Sequence, residues 1–317
     1  MDRSMGEKSM RAALVATPGG HLVQLDLLAQ TLPGIEERAV LWISHGTDQA
    51  KDILAGRDVH FVPFVNARDG VAVLKTATNL RRIFAQEEIT QVYSTGAAVG
   101  LAACLASRSL GLRTTYIESL ARTSGPSVTG KVLRRVPGVA TWTQYPRNIG
   151  KGWEYHLSAL GAFQRVTDQD LRQELRVFVT VGTVRTWSFD RLIERVRAIL
   201  PASVEVVWQV GSWAGPLEQL PGRAYHFMTD AEVQREMAEA SVVITHSGVG
   251  SGIRALQAGK LPIMVPRRQA FGEHVDDHQL GIAMELEERG LAIRREADQL
   301  VWADVEAAAA TRVVSGR

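Results

Sequence analysis

The chain has 317 residues, a formal net charge of +2 and a single cysteine. Two domains are the expectation at this length, and 45% hydrophobic with 22% charged residues is the composition of a soluble globular protein with full cores. One cysteine excludes an intrachain disulfide framework and points to a reducing compartment. Basic side chains outnumber acidic ones 20 to 15 over residues 1–172 (+5), and the remainder reverses this at 16 to 19 (−3). That balance does not suggest nucleic acid. It fits an anionic substrate or membrane surface near the first half.

In chain order, MDRSMGEKSMR lacks the apolar core of a signal peptide and reads as a frayed start. RAALVAT (11–17) predicts a strand that ends in PGGH, and Leu22, Leu25, Leu28, Ala29 and Leu32 then share one helical face. AVLWIS (39–44), HFVPF (60–64), QVYST (91–95) and TTYIES (114–119) are further strands, separated by helical patterns. VAVLKTATNLRRIFA (71–85) mixes apolar residues with Lys75, Arg81 and Arg82. With KVLRR (131–135) it offers either a basic amphipathic surface for anionic lipid or an ordinary solvated helix face. GAAVGLAACLAS (96–107) reads as a buried helix, so Cys104 belongs to a core rather than to a nucleophile. The longest apolar run, 97–106, is too short to span a bilayer. The expected location is therefore the cytoplasm or the inner membrane surface.

RVTDQDLRQEL (165–175) is the expected domain boundary, giving domains 1–170 and 171–317. Its Asp168-Gln-Asp170 fits a solvated linker better than a metal-binding acidic pair. The second half opens like the first: RVFVTV (176–181) leads to Gly182 and Thr183, then Phe189, Leu192, Ile193, Val196 and Leu200 mark a helix face. VEVVWQV (204–210), SVVITH (241–246) and LPIMVP (261–266) continue the alternation. The predicted class is α/β, with two tandem Rossmann-like domains and ligands in a cleft between them.

Two glycine turns carry the first chemical signals. In THSGVGSGIRALQAGK (245–260) a strand ends at His246, and Ser247, Gly248, Gly250 and Ser251 lead into a helix that contains Arg254. Glycines admit a ligand close to the backbone, and helix-start N–H groups attract anions, so the turn suits a pyrophosphate. Its spacing is not the dinucleotide fingerprint. PGGHLVQL (18–25) repeats the logic with Gly19 and Gly20, and adds His21 at the strand-to-helix turn. An imidazole there is suited to taking a hydroxyl proton at neutral pH, the alternative being a helix-capping histidine. The segment EHVDDHQ (273–279) offers Glu273, His274, Asp276, Asp277 and His278 as possible metal ligands. His274 and His278 are one helical turn apart.

GGHLVQL, YSTGAAVG, YIESLAR…SVTGK and TQYP together resemble the acceptor half of bacterial exopolysaccharide glycosyltransferases. That half is similar to the membrane-recruiting subunit of the eukaryotic enzyme that adds the second GlcNAc to dolichol. VFVTVGT…FDRLI, HSGVGS and VPRR…EHVDDHQL resemble its catalytic, donor-binding partner, so the chain looks like a fusion of the two, over about residues 11–290. More distantly it resembles the GlcNAc transferase that forms lipid II, of glycosyltransferase family 28.

The resemblance implies a GT-B fold and an inverting transfer from a UDP-sugar to a lipid-pyrophosphate-linked sugar. It implies His21 as base and Glu118 as a second catalytic candidate, with Gly19, Gly20, Thr95, Gly96 and Arg122 toward the acceptor. Gly182, Thr183, Phe227, Met228, His246, Ser247, Gly248, Gly250 and Ser251 fall to the donor side. Phe227 and Met228 match positions near the uracil. Glu273 and His274 would line the phosphate or sugar side, Asp276 and Asp277 would favour a helix start, and His278 and Gln279 would bond sugar hydroxyls. Arg254 departs from the family, which has glutamate there for the ribose diol; either another acid replaces it or Arg254 meets the pyrophosphate or an acidic sugar. No metal or other cofactor is required by this scheme, and a peripheral inner-membrane location is implied. The alternatives are a UDP-sugar epimerase of related architecture and a non-catalytic UDP-sugar-binding scaffold. Among the tryptophans, Trp187 and Trp213 are the expected cleft aromatics; the others read as core.

Overall fold

The computed structural model describes residues 11–33, 35, 39–66, 69–167 and 175–316, with His278 described by its backbone alone. The expected N-terminal lead and the Asp168-Gln-Asp170 stretch therefore lie outside the described residues. Two compact units are present: Met1–Leu120 with Ser124–Ala159, and Ala121–Thr123 with Leu160–Arg317. The division at 159/160 comes before the 165–175 segment, and Arg122 groups with the second unit.

The first unit alternates strands and helices: β1 (Arg11–Val15), α1 (Gly20–Ala29), β2 (Val40–His45), α2 (Asp48–Ile53), β3 (Val59–Val62), α3 (Gly70–Gln86), β4 (Ile89–Ser94), α4 (Ala97–Ser109), β5 (Arg113–Ile117), α5 (Val128–Leu133), β6 (Val139–Thr143) and β7 (Glu154–Tyr155). Its sheet has the order β3-β2-β1-β4-β5-β6-β7, with every neighbour parallel. Ala13, Val15, Leu41, Ile43 and Val92 pack against Leu80 and Phe84 of α3 and Val99, Ala102 and Ala103 of α4. Small residues on α4 let it approach the sheet closely. Cys104 is fully buried, and burial pushes its thiol up to about 12, as expected of a core cysteine.

The second unit contains β8 (Phe163–Thr167), β9 (Arg176–Thr180), α6 (Asp190–Ile199), β10 (Glu205–Gln209), β11 (Arg223–Tyr225), α7 (Asp230–Glu239), β12 (Val242–His246), α8 (Val249–Gln257), β13 (Ile263–Val265), α9 (His278–Glu288), β14 (Ile293–Arg294), α10 (Trp302–Ala309) and β15 (Thr311–Ser315). Its parallel sheet runs β11-β10-β9-β12-β13-β14. Strand β9 is buried on both faces. Val177 and Val179 meet α6 through Leu192, Ile193 and Val196, whereas Phe178 meets Val233 and Met237 of α7 and Ala255 of α8. That double burial explains the continuous apolar run in its sequence.

The strands read from sequence are present, shifted at their ends by one or two residues. Others were not anticipated: β11 and β14 are short, and β6 carries Thr141 and Thr143 among its five residues. Residues 165–167, expected in a linker, belong to β8, which pairs antiparallel with β15. Trp213 is core rather than a cleft aromatic. On α3, Val71 and Leu74 are exposed next to exposed Lys75, Arg81 and Arg82. Among the described residues, no helix is long and apolar enough to cross a membrane.

Candidate active site

In each unit the first strand of the parallel sheet lies inside it, so successive crossovers leave it in opposite directions. The strand order reverses between β1 and β4 in the first unit and between β9 and β12 in the second. Open parallel sheets bind ligands beyond the carboxyl ends of such strands. Both glycine turns are at these points.

In the first unit, Gly19 precedes α1 at φ 87° and Gly96 precedes α4 at φ 115°, both in backbone that a side chain disfavours. The two turns are tied together. Thr95 Oγ1 donates to the His21 carbonyl at 2.9 Å, and His21 Nδ1 lies 2.7 Å from the Thr95 carbonyl oxygen. A carbonyl only accepts, so Nδ1 carries the proton and Nε2 is the basic nitrogen of the neutral ring. A Cβ on Gly96 would lie 3.2 Å from the Tyr116 hydroxyl and 3.4 Å from His21 Cε1, so the absent side chain gives both rings their room.

Tyr116 was not singled out from the sequence, although it lies within YIES. Its hydroxyl donates to Glu118 Oε1 at 2.8 Å. Burial, reinforced by the nearby Glu118 charge, holds its phenol pKa well above the ordinary value. Glu118 is itself buried, and its oxygens also accept from Ser119 N, Ser127 N and Ser127 Oγ. Glu118 thus orders the 118–127 loop and supports Ser127, the N-cap of α5. Beneath it, Gln24 accepts from Leu120 N and Gln144 Nε2, which fixes α1 to the same loop.

In the second unit, His246 ends β12 with its ring wedged between two glycines. A Cβ on Gly182 (φ 79°) would be 2.4 Å from His246 Cε1, and one on Gly248 would be 2.4 Å from Nε2. Gly182 N donates to Thr180 Oγ1, which in turn donates to Gln209 Oε1 at 2.7 Å. Ser247 is fully buried, and its hydroxyl has no partner among the described residues. Gly248 is the N-cap of α8, whose first turn, with Gly250 and Ser251, holds no acidic side chain. Exposed Thr183 continues the Gly182 loop, and Arg185 of that loop stacks on the Phe227 ring at 4.2 Å. Met228 packs beside the α7 core.

The helix starts differ in a telling way. α2, α3, α5 and α7 are capped by the side chains of Thr47, Asp69, Ser127 and Thr229. The three helices that begin at the reversal points, α1, α4 and α8, have glycine N-caps with no side-chain bond and no acid in the first turn. Their N–H groups keep their capacity for an external anion.

Arg254 forms a two-pronged ion pair with Asp230 at the start of α7, one arm at 2.9 Å, so it is committed to that carboxylate. The EHVDDHQ segment also differs from expectation. Buried Glu273 is bound through both oxygens by Arg191 (2.8 and 2.9 Å) and accepts from Arg268 N, which makes it scaffold. Its hydrogen bond to Arg191 also raises the Arg191 pKa. Asp277 precedes α9 but accepts from Gln269 N instead of capping the helix. His274 pairs with Asp276 at 3.4 Å. Gln279 Oε1 accepts from Arg267 N. Among those residues no three His, Cys, Asp or Glu side chains form a metal-ligand set.

Arg267 is the residue that sequence reading passed over. Its guanidinium is fully buried and donates to the carbonyls of Val181, Trp187, Ser188 and Glu273. Burial lowers its pKa to about 10, still charged at neutral pH. Through it the Gly182 loop and the 267–279 loop form one rigid wall. Trp187 offers its carbonyl to this hub.

Residues 176–305 match the family model described as glycosyltransferase family 28 C-terminal domain. Mouse (Mus musculus) UDP-N-acetylglucosamine transferase subunit ALG13 is 31% identical over 127 residues, which is 36% of this chain and 10% of that protein. Thus the match spans only a small part of that relative. The solved structure of Acinetobacter baumannii MurG aligns with a TM-score of 0.57 at 18% identity, covering 94% of this chain and 89% of that one. A proposed UDP-N-acetylglucosamine 2-epimerase from Listeria monocytogenes aligns at 0.55 and 11% identity, covering 89% and 88%. The fold is GT-B, with two Rossmann-like domains.

Gly182→Ala forces a side chain into His246 at a positive φ. A loss of about 1–3 kcal/mol in denaturant unfolding is expected, whereas Thr183→Ala next to it, on an exposed side chain, is expected to change stability by less than about 0.5 kcal/mol.

Proposed function

We propose that the chain is an inverting glycosyltransferase that moves a hexose from a UDP-sugar to a polyprenyl-pyrophosphate-linked sugar in extracellular or capsular polysaccharide assembly. The observation that carries this reading is the set of glycine-capped helix starts at the two strand-order reversals. The one on α8 lies within the residues matched to the glycosyltransferase family 28 C-terminal domain.

The roles divide between the units. In the first, His21 Nε2 takes the proton of the acceptor hydroxyl while Nδ1–H stays fixed on the Thr95 carbonyl. The acceptor oxygen then bonds to the anomeric carbon as the bond to the UDP oxygen breaks, with inversion. In the second, the first-turn N–H groups of α8 and the Gly182 loop receive the charge that develops on the departing pyrophosphate. The buried Ser247 hydroxyl is an unspent donor for the same ligand. Asp230 and Arg254 form a fixed charge pair at the start of α7, beside the Phe227–Met228 segment assigned to the uracil. Because the leaving group is served by backbone dipoles, no divalent metal is needed. Glu118 positions the loop and does not act as the base.

An epimerase uses the same fold on a UDP-sugar, but it has no need of a second ligand's base in the first unit. The His21–Thr95 arrangement therefore favours transfer to an acceptor. Exposed Val71 and Leu74 with Lys75, Arg81 and Arg82 on α3 support peripheral contact with an anionic inner-membrane surface.

His21→Ala is expected to slow transfer by about 10²–10⁴-fold and leave UDP affinity within a few-fold, checked by product formation and calorimetry; near-normal turnover removes His21 from the mechanism. Transfer is expected to persist in EDTA, and a strict divalent requirement defeats the metal-free scheme. In co-sedimentation with vesicles containing anionic lipid, the Lys75→Ala/Arg81→Ala/Arg82→Ala variant is expected to bind less than the parent, an effect lost in high salt.

A further inference from the structure

The carboxyl end of β10 carries a hydrogen-bond relay that the scheme above leaves unused. In the second sheet Gln209 lies in register between Thr180 on β9 and Tyr225 on β11. Gln209 and Thr180 are each only 1% exposed.

The relay has a fixed direction. It starts at Gly182 N, a main-chain N–H that can only donate, and Thr180 Oγ1 receives it at 3.2 Å. The Thr180 hydroxyl then gives its one proton to Gln209 Oε1 at 2.7 Å. With the oxygen of the amide committed, Nε2 is turned away from Thr180, and it can only donate. Turning the amide over would take from the Thr180 proton the acceptor it now has, so one orientation is held. Gln209 Nε2 is buried and has no acceptor among the described residues. A buried donor without a partner is rare in the absence of a ligand, because it has lost its water and gained nothing in return.

The surroundings point to the kind of ligand. Gln209 faces the same side of the sheet as Val207, two residues earlier, and Val207 packs with Val233 and Met237 of α7 and with Met228. Past the strands the pairing continues: Val210 N donates to the Tyr225 carbonyl at 2.9 Å and Gly211 N to the His226 carbonyl at 2.8 Å. The Phe227–Met228 segment therefore begins beside the end of β10. Arg185, from the loop after β9, lies over the Phe227 ring. The loops after β9 and β11 thus meet across the strand end that carries Gln209.

We infer that Gln209 is a specificity-determining residue for the donor, its Nε2 donating to the 4-oxo group of a uracil ring beside the Phe227–Met228 segment. The inference rests on the reading of the second unit as UDP-sugar-binding. Position 4 is an acceptor in uracil and an amino donor in cytosine. An amide free to turn over serves either base; one locked through Thr180 and Gly182 serves only uracil. The Gly182 turn, assigned to the diphosphate, thereby also fixes the polarity of the group that meets the base.

The test is calorimetric binding of UDP and CDP to the full chain and three variants, with no turnover required. The parent is expected to bind UDP at least about tenfold more tightly than CDP. Gln209→Met, which keeps the length of the side chain, is expected to weaken UDP about tenfold and CDP by less than about threefold. Thr180→Val leaves Gln209 in place but frees its amide to turn over, and is expected to bring the preference for UDP below about threefold. Thr180→Ser keeps the hydroxyl and is expected to retain the preference. A merely structural role lowers UDP and CDP affinity equally, and that result overturns the inference. So does an unchanged preference in either Gln209→Met or Thr180→Val, or a parent that binds the two nucleotides alike. Thermal unfolding checks each variant, and should Gln209→Met not fold, the Thr180 pair decides. A parent that binds neither nucleotide refutes the UDP-sugar reading of the second unit and the inference with it, whereas UDP binding without loss of preference on substitution refutes the inference alone.

Discussion

Everything at the candidate site depends on where the first strand of each parallel sheet sits. β1 is flanked by β2 and β4, and β9 by β10 and β12, so in each sheet the chain departs to one side and later returns to the other. Parallel strands require that their connections all leave from the carboxyl edge, and the reversal opens a gap there between two neighbouring loops. A gap lined by backbone is useful only if the loops can come close. Gly96 leaves space for His21 and Tyr116, and Gly182 and Gly248 leave space for His246.

The choice of helix caps follows from the same constraint. At the starts of α2, α3, α5 and α7 the chain satisfies N–H groups with the side chains of Thr, Ser or Asp. At the reversal points it uses glycine and supplies no acid. A side-chain cap is worth about 1 kcal/mol, so three uncapped starts represent stability forgone in places where an anion can take the role of the cap. The buried Arg267 has the opposite character. Four carbonyl acceptors compensate its desolvation, and it turns two loops into one wall behind the Gly182 turn.

Much of this was legible in the sequence. The apolar runs ending in PGGH, GT and HSGVG located both reversal points, because strand, glycine and helix follow one another within a few residues. His21 was legible for the same reason. The EHVDDHQ segment was not: its polarity suggested ligands, yet Glu273 and Asp277 are bound by Arg191 and by the backbone of residues 268 and 269. Nor did the sequence show that Glu118, the second catalytic candidate, accepts hydrogen bonds from its own loop. Polar residue type shows that a group must be satisfied; it does not show by whom.

The sequence by itself determined the α/β class, the tandem repetition of a strand–glycine–helix unit, and the burial of Cys104, since each depends on local periodicity or on residues close together in the chain. Only the tertiary structure decided which polar groups remain available to a ligand. The pairing of Arg254 with Asp230, of Arg267 with carbonyls some 80 residues earlier, and of His21 with Thr95 joins residues far apart in sequence. Whether a donor is spent or unspent is a property of those long-range pairings, and no spacing rule along the chain contains it.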